Sequence, residues 1–242
     1  MTLSVGEWLV FFVAVAGGAA IQNVVGFGLA LLVAPIVGVV RPDLMPTMMI
    51  LMSFPLSTTM AIRGRRDIDW TNLNWSILGR LPTIALGAWI VSIVSTRMLG
   101  GLVGALVIVS CVISAMSNVK PITRSRALGA GAFSGFMETT AAVGGAPMAL
   151  LYQHRPGPEI RSTLAMSFIA GKSIAFVALA VGGEITRDPI VAAVSLFPAL
   201  FVGTVLAKPL VVRLGTKPLR PAVLVLCAAT GLVAVLNALL KG

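Results

Sequence analysis

Long apolar windows separated by short polar loops run through almost the whole chain. Six are unbroken, at 44–62, 76–95, 99–117, 160–180, 189–212 and 220–240. At about 1.5 Å of rise per residue, each reaches across a hydrocarbon core of roughly 30 Å and predicts a transmembrane helix. Two further regions, 6–40 and 126–153, are apolar but interrupted by glycine and polar residues. The arm 29–40 would reach only about 18 Å, too short to cross. Each interrupted region therefore predicts a hairpin of broken helices that enters the bilayer and returns to its own side.

The pattern also repeats. A shift of 116 residues carries Pro42 onto Pro158, Pro82 onto Pro198 and Gly87 onto Gly203. It carries Gly28 onto Gly144, Thr47 onto Thr163, Arg97 onto Arg213 and Cys111 onto Cys227. Matches at these rarer residue types, without a gap, predict a duplication. Residues 1–119 form the first repeat and 120–242 the second, each one hairpin followed by three spans. An odd number of crossings per repeat puts the two in opposite orientations. The expected fold is thus an all-α polytopic membrane protein of two inverted-topology repeats, each a broken-helix hairpin plus three transmembrane helices.

Composition agrees with lipid as the solvent. The chain is 57% hydrophobic and 11% charged over 242 residues, with a mean hydropathy of +1.00. Soluble domains carry roughly a quarter charged residues. The net charge of +10 does not call for nucleic acid, because the cations sit in short loops between apolar spans. Loops 63–69, 117–126, 153–161 and 213–220 hold eleven of the eighteen Lys and Arg, and they alternate onto one face. The positive-inside rule puts that face in the cytoplasm. The other face has Arg41, Arg97, Arg187 and Lys241. Trp8, Trp70 and Trp75 fall near span ends, where interfacial anchoring is ordinary. The N-terminus lacks a basic leader and its apolar run continues past AVAGGAA, which predicts a retained span rather than a cleaved signal peptide.

The candidate chemistry lies in the hairpins. Glu138–Pro147 reads ETTAAVGGAP, and the aligned piece, Ile21–Ala30, reads IQNVVGFGLA. Both place polar residues just before a glycine-rich break that is followed by an apolar half-helix. Such a break leaves backbone N–H groups unpaired at mid-membrane depth, where irregular backbone must be buried in protein or line a cavity. A half-helix starting there aims its positive dipole end inward, and opposed repeats would aim two at one point. Broken helices in inverted repeats are the architecture of many secondary transporters. The expected site is a small-anion cradle between Gly26, Phe27 and Gly28 on one side and Gly144 and Gly145 on the other. Gln22, Asn23, Thr139 and Thr140 would donate side-chain hydrogen bonds. Close helix packing is the competing reading for the glycines, and interhelical hydrogen bonding for the polar side chains.

Charged residues inside the spans leave more than one role open. Lys172, mid-span, is read either as charge for the anion or as a partner of Glu138. Glu138 is read as a proton-coupling group, a structural hydrogen-bonding group or that ion-pair partner. Arg80 and Lys208, each one turn inside a predicted span end, are read as snorkelling to the interface. His154 is read as a solvated loop residue. Pro55, Pro82 and Pro198 are read as kinks. Cys111 and Cys227 have no metal-ligand spacing and read as small buried residues.

These stretches resemble the TauE/SafE family of membrane permeases, often called sulfite exporters. IQNVVGFGLALLVAPIV (Ile21–Val37) is similar to that family's opening hairpin, and SGFMETTAAVGGAPMALLY (Ser134–Tyr152) to its counterpart in the second half. The resemblance implies a multi-pass inner-membrane carrier for sulfite, sulfonates or related sulfur-containing anions. Ala146 departs from the Gly-Gly-Pro-Pro run of many relatives. The alternatives are a passive anion channel or a carrier for a non-sulfur organic anion. A membrane enzyme is disfavoured by the lack of a nucleophile–base pair or a metal-ligand cluster. The expected partners are a small anion, the lipid bilayer and a proton or sodium ion as coupling ion; no cofactor is expected, and no oligomeric state follows from the sequence.

Overall fold

A computed structural model describes residues 3–115, 121–214 and 219–240, with side chains outside 208–224 and 226. Those residues form eleven α-helices and no strand. They are α1 (Val5–Val25), α2 (Leu29–Val40), α3 (Thr47–Arg63), α4 (Trp70–Ile93), α5 (Thr96–Ala115) and α6 (Arg124–Ala141). After these come α7 (Gly145–Tyr152), α8 (Gly157–Val181), α9 (Arg187–Ser195), α10 (Phe197–Leu214) and α11 (Leu219–Leu240). Helices suit lipid because each satisfies its own backbone polar groups. Five stretches are long and apolar enough to cross a bilayer: α1, α4, α5, α8 and the α9–α10 run Arg187–Ala207.

Helix ends follow local chemistry. Ser4 and Glu7 form a capping box on α1, in which Ser4 Oγ accepts from Glu7 N–H and Glu7 Oε2 accepts from Ser4 N–H at 2.8 Å. Asp69 caps α4 through the Asn72 N–H, and Thr123 caps α6 through the Arg126 N–H. Pro55 and Pro82 lie inside α3 and α4. Pro198 lies just after a one-residue break within the single run Arg187–Ala207, in keeping with its reading as a kink. The span expected over 189–212 divides at Leu196, and Pro198 sits in the first turn of α10, where its missing N–H is tolerated.

The first hairpin has arms of unequal length. Its opening arm, α1, is a continuous helix of 21 residues and long enough to cross by itself. Only the return arm, α2, is short, at 12 residues. It packs back along α1, with Leu29 against Gly18. In the second hairpin α7 has 8 residues and packs on α6.

Helix pairs assemble around these hairpins: α4 on α6, α1 on α10, α5 on α11 and α3 on α8. Missing side chains set the closest approaches. A Cβ on Gly79 would meet the Leu128 carbonyl oxygen, one on Gly131 that of Ser76, and one on Gly203 that of Ala16. Small residues let transmembrane backbones come this near. Cys111 and Cys227 are buried against each other at the α5–α11 crossing. Gly131→Leu is therefore expected to wedge α4 from α6 and destabilise the protein by about 1–3 kcal/mol. Gly129→Leu, with nothing within 4 Å of the added Cβ, is expected to leave the melting temperature in detergent unchanged.

The loops sort into two sets. Arg63, Asp67, Pro158 and Arg161 share one cavity, and the Arg124 guanidinium lies 5.2 Å from the Trp75 ring centre at the same end. Asp43, Thr96, Glu184, Arg187 and Asp188 share another at the opposite end. There the Arg41 guanidinium, 2.7 Å from Asp43, holds that carboxyl below its ordinary range by hydrogen bonding. Of the fourth basic loop, 215–218 lie outside the described residues.

Candidate functional site

The two breaks meet. α1 ends at Gly26, whose φ of 100° is left-handed, and Gly28 at φ 142° starts the return. α6 ends in a left-handed Ala142 at φ 57°, with the Ala142 N–H donating to the Glu138 carbonyl. Phe27 then packs on Gly145. A Cβ there would stand 3.1 Å from Phe27 Cβ and 3.0 Å from Phe168 Cζ. Beside this contact is a cavity of about 20 Å³. Gln22, Phe27 and Gly28 line it from the first break, and Ala142, Val143 and Gly145 from the second. Ser53 on α3 and Phe168 and Lys172 on α8 complete the walls.

Hydrogen-bond donors converge there. The first amide of α2, on Leu29, donates to Gln22 Oε1 at 3.3 Å. Gln22 is 3% exposed, and its Nε2 has no partner. A buried amide nitrogen without an acceptor is costly, so this donor awaits one. The N-termini of α2 and α7 both open at the cavity wall, where helix dipoles favour negative charge.

Behind the cavity is a buried charge cluster from three helices. Glu138 on α6 lies 2.8 Å from Lys172 Nζ on α8 and 3.4 Å from Arg80 Nη1 on α4. Arg80 and Glu138 are wholly buried and Lys172 nearly so. Arg80 Nη2 donates to Ser167 Oγ at 2.6 Å. Gly171 admits the guanidinium, since any Cβ there would strike Arg80 Nη1. Two cations and one carboxylate leave one positive charge in excess. Of the three, only Lys172 reaches the cavity wall, with its ammonium 5.6 Å from the Phe168 ring centre.

Arg80 corrects the sequence reading: it does not snorkel. The polar run before residue 76 hid the true start of α4 at Trp70, so Arg80 lies about 15 Å into the helix. Lys172 pairs with Glu138, as one of its two readings has it, and it also lines the cavity. The Lys208 side chain lies outside the described residues.

The other expected site residues are dispersed. Asn23 donates to the Ala19 carbonyl at 2.8 Å and to Thr204 Oγ1 at 3.2 Å, an interhelical contact. Thr139 and Thr140 donate to the carbonyls of Gly135 and Phe136 on their own helix. Gly26 packs on Arg161 and Leu164. Gly144 accepts from Ser134 Oγ through its carbonyl and lies against Glu138 Oε2. Sequence reasoning missed Ser53, Phe168 and Ser167. The only available signal was their position on spans facing the hairpins.

A helical bundle with spanning helices, interrupted hairpins that meet in its interior and a buried excess of charge defines a polytopic membrane transporter. The chain belongs to the sulfite exporter TauE/SafE family, whose model matches residues 10–234. Members are inner-membrane permeases, which places this protein in the inner membrane. No curated protein and no solved structure matches it.

Proposed function

We propose that the protein is a secondary transporter for a small sulfur-containing anion, such as sulfite or an organosulfonate, bound where the two breaks meet. The observation that carries this reading is the convergence of the α2 and α7 N-termini, the unpartnered Gln22 Nε2 and Lys172 on one cavity. Anions are held by helix N-termini and cations in this way. A space of about 20 Å³ admits little more than one water, so the breaks must part to load the solute. An alternating-access carrier does this by moving one repeat against the other.

Inverted repeats are part of the proposal. Exchanging the halves turns the α4–α6 pair into α10–α1 and maps the α3–α8 and α5–α11 pairs onto themselves, which supports a pseudo-two-fold relation. Gly87 and Gly203, matched in sequence, each sit at one of the exchanged crossings. Glu138 is the coupling candidate, since an anion that engages Lys172 changes what faces the carboxylate.

The test is flux in proteoliposomes with sulfite, sulfate, sulfoacetate and taurine, each with and without a proton gradient. Saturable movement of at least one, enhanced by the gradient, is expected. Movement of none, with a carboxylate moving instead, would refute the sulfur assignment. Flux that rises without saturation would mark a channel. Glu138→Gln with an unchanged pH profile would remove Glu138 from coupling.

A further inference from the structure

We infer that the site is built for a monoanion, and that the solute binds by taking Lys172 from Glu138 while Arg80 keeps the carboxylate. This rests on the anion-carrier reading above and deepens it by assigning the charge of the cargo. Arg80 and Lys172 carry two positive charges against the single negative charge of Glu138, all within 3.4 Å contacts and all buried. The cluster is therefore one negative charge short. A singly charged solute completes it. A doubly charged one leaves an unmatched charge in a dry interior, where the penalty is large.

The geometry assigns the parts. Lys172 is the member on the cavity wall, on a flexible stem with rotatable donors, so it can turn from Glu138 to a solute. Arg80 cannot follow: its guanidinium is gripped by Ser167 and wedged over Gly171. It holds Glu138 Oε2 whether or not Lys172 stays. Glu138 itself does not line the cavity. Gln22 offers its spare N–H group from the opposite wall, a neutral donor that adds no charge to the sum. In the first hairpin the position matching Glu138 is this glutamine, so the charge count is set by the second hairpin and its neighbours alone.

Methanesulfonate and sulfate test this, since both are tetrahedral sulfur oxyanions and differ by one charge at neutral pH. Purified wild-type protein in proteoliposomes is expected to take methanesulfonate at about tenfold lower concentration than sulfate, or better. Glu138→Gln raises the excess to two and is expected to narrow or reverse that ratio. Lys172→Gln leaves the neutral Arg80–Glu138 pair and is expected to weaken methanesulfonate about tenfold or more. Thermal stabilisation by each anion in detergent reads the same preferences without transport. Equal use of both anions by the wild type, or a preference for sulfate, overturns the inference and leaves the carrier reading standing. Full methanesulfonate affinity in Lys172→Gln also overturns it, and that variant keeps a paired carboxylate should Glu138→Gln fail to assemble. Transport and binding of neither anion by the wild type overturns the inference, while the carrier reading stands or falls separately on the flux of sulfite, sulfoacetate and taurine.

Discussion

Glu138→Ala is expected to remove about 3–5 kcal/mol of stability, the usual effect of deleting one partner from a buried ion pair. The carboxylate separates two cations that lie 2.8 Å and 3.4 Å from its oxygens. Without it, Arg80 and Lys172 face each other across a space closed to water, and neither has an exposed route out. Against a total stability of roughly 5–15 kcal/mol, the loss should appear as a sharply lower yield of monodisperse protein in detergent and a lower melting temperature. Adding Lys172→Met to Glu138→Ala removes one of the two stranded charges and is expected to recover about 0.5–3 kcal/mol. Ser167→Ala deletes a single charge-assisted hydrogen bond to Arg80 and should cost about 1.5–3 kcal/mol. A Glu138→Ala protein as stable as the wild type would show that the cluster does not hold α4, α6 and α8 together.

Much of this architecture is legible in one dimension, because lipid imposes strict rules on sequence. Four of the six expected spans, at 76–95, 99–117, 160–180 and 189–212, overlap stretches long and apolar enough to cross, whereas α3, expected over 44–62, has 17 residues and is not among them. The hairpin ends at Gly26–Gly28 and Ala142–Gly144 fall where glycine and polar residues interrupt the apolar run. Depth and direction are harder to read. Arg80 looked shallow because the polar residues before it resemble a loop, yet Asp69 caps a helix that already includes them. Asn23, Thr139 and Thr140 carry the right chemistry beside the breaks. Their donors turn to carbonyls four residues back instead, an option open to short polar side chains within a helix. Nothing local distinguishes that choice from a ligand contact. Which helix stands opposite decides it, and that depends on glycines such as Gly135 and Gly171, whose partners on α4 are distant in sequence.

Transport should fail in Gly145→Leu while the protein still folds, because the added side chain would enter the gap that Phe27 and Phe168 now border. A cavity of about 20 Å³ cannot hold a leucine side chain and a solute together. Gly145→Ala meets its neighbours at 3.0 Å and 3.1 Å, a contact that small shifts relieve, and should keep part of the flux. Gly28→Ala adds a second argument, from backbone rather than volume. At φ 142° an L-residue is strained by about 1–3 kcal/mol, and its Cβ would stand 2.5 Å from Ile21 Cγ2. Relief requires the α1–α2 turn to change shape, which moves the Leu29 amide and Gln22 away from the site. The expected result is flux lower by about tenfold or more, since each 1.4 kcal/mol of misplacement is a factor of ten. Gly183→Ala separates strain from site. It also has positive φ, at 75°, but nothing lies within 4 Å of the new Cβ, and it stands far from both breaks in the chain. That variant should lose a little stability and keep its transport. If Gly28→Ala and Gly145→Leu behave like Gly183→Ala, the solute passes somewhere other than between the two breaks.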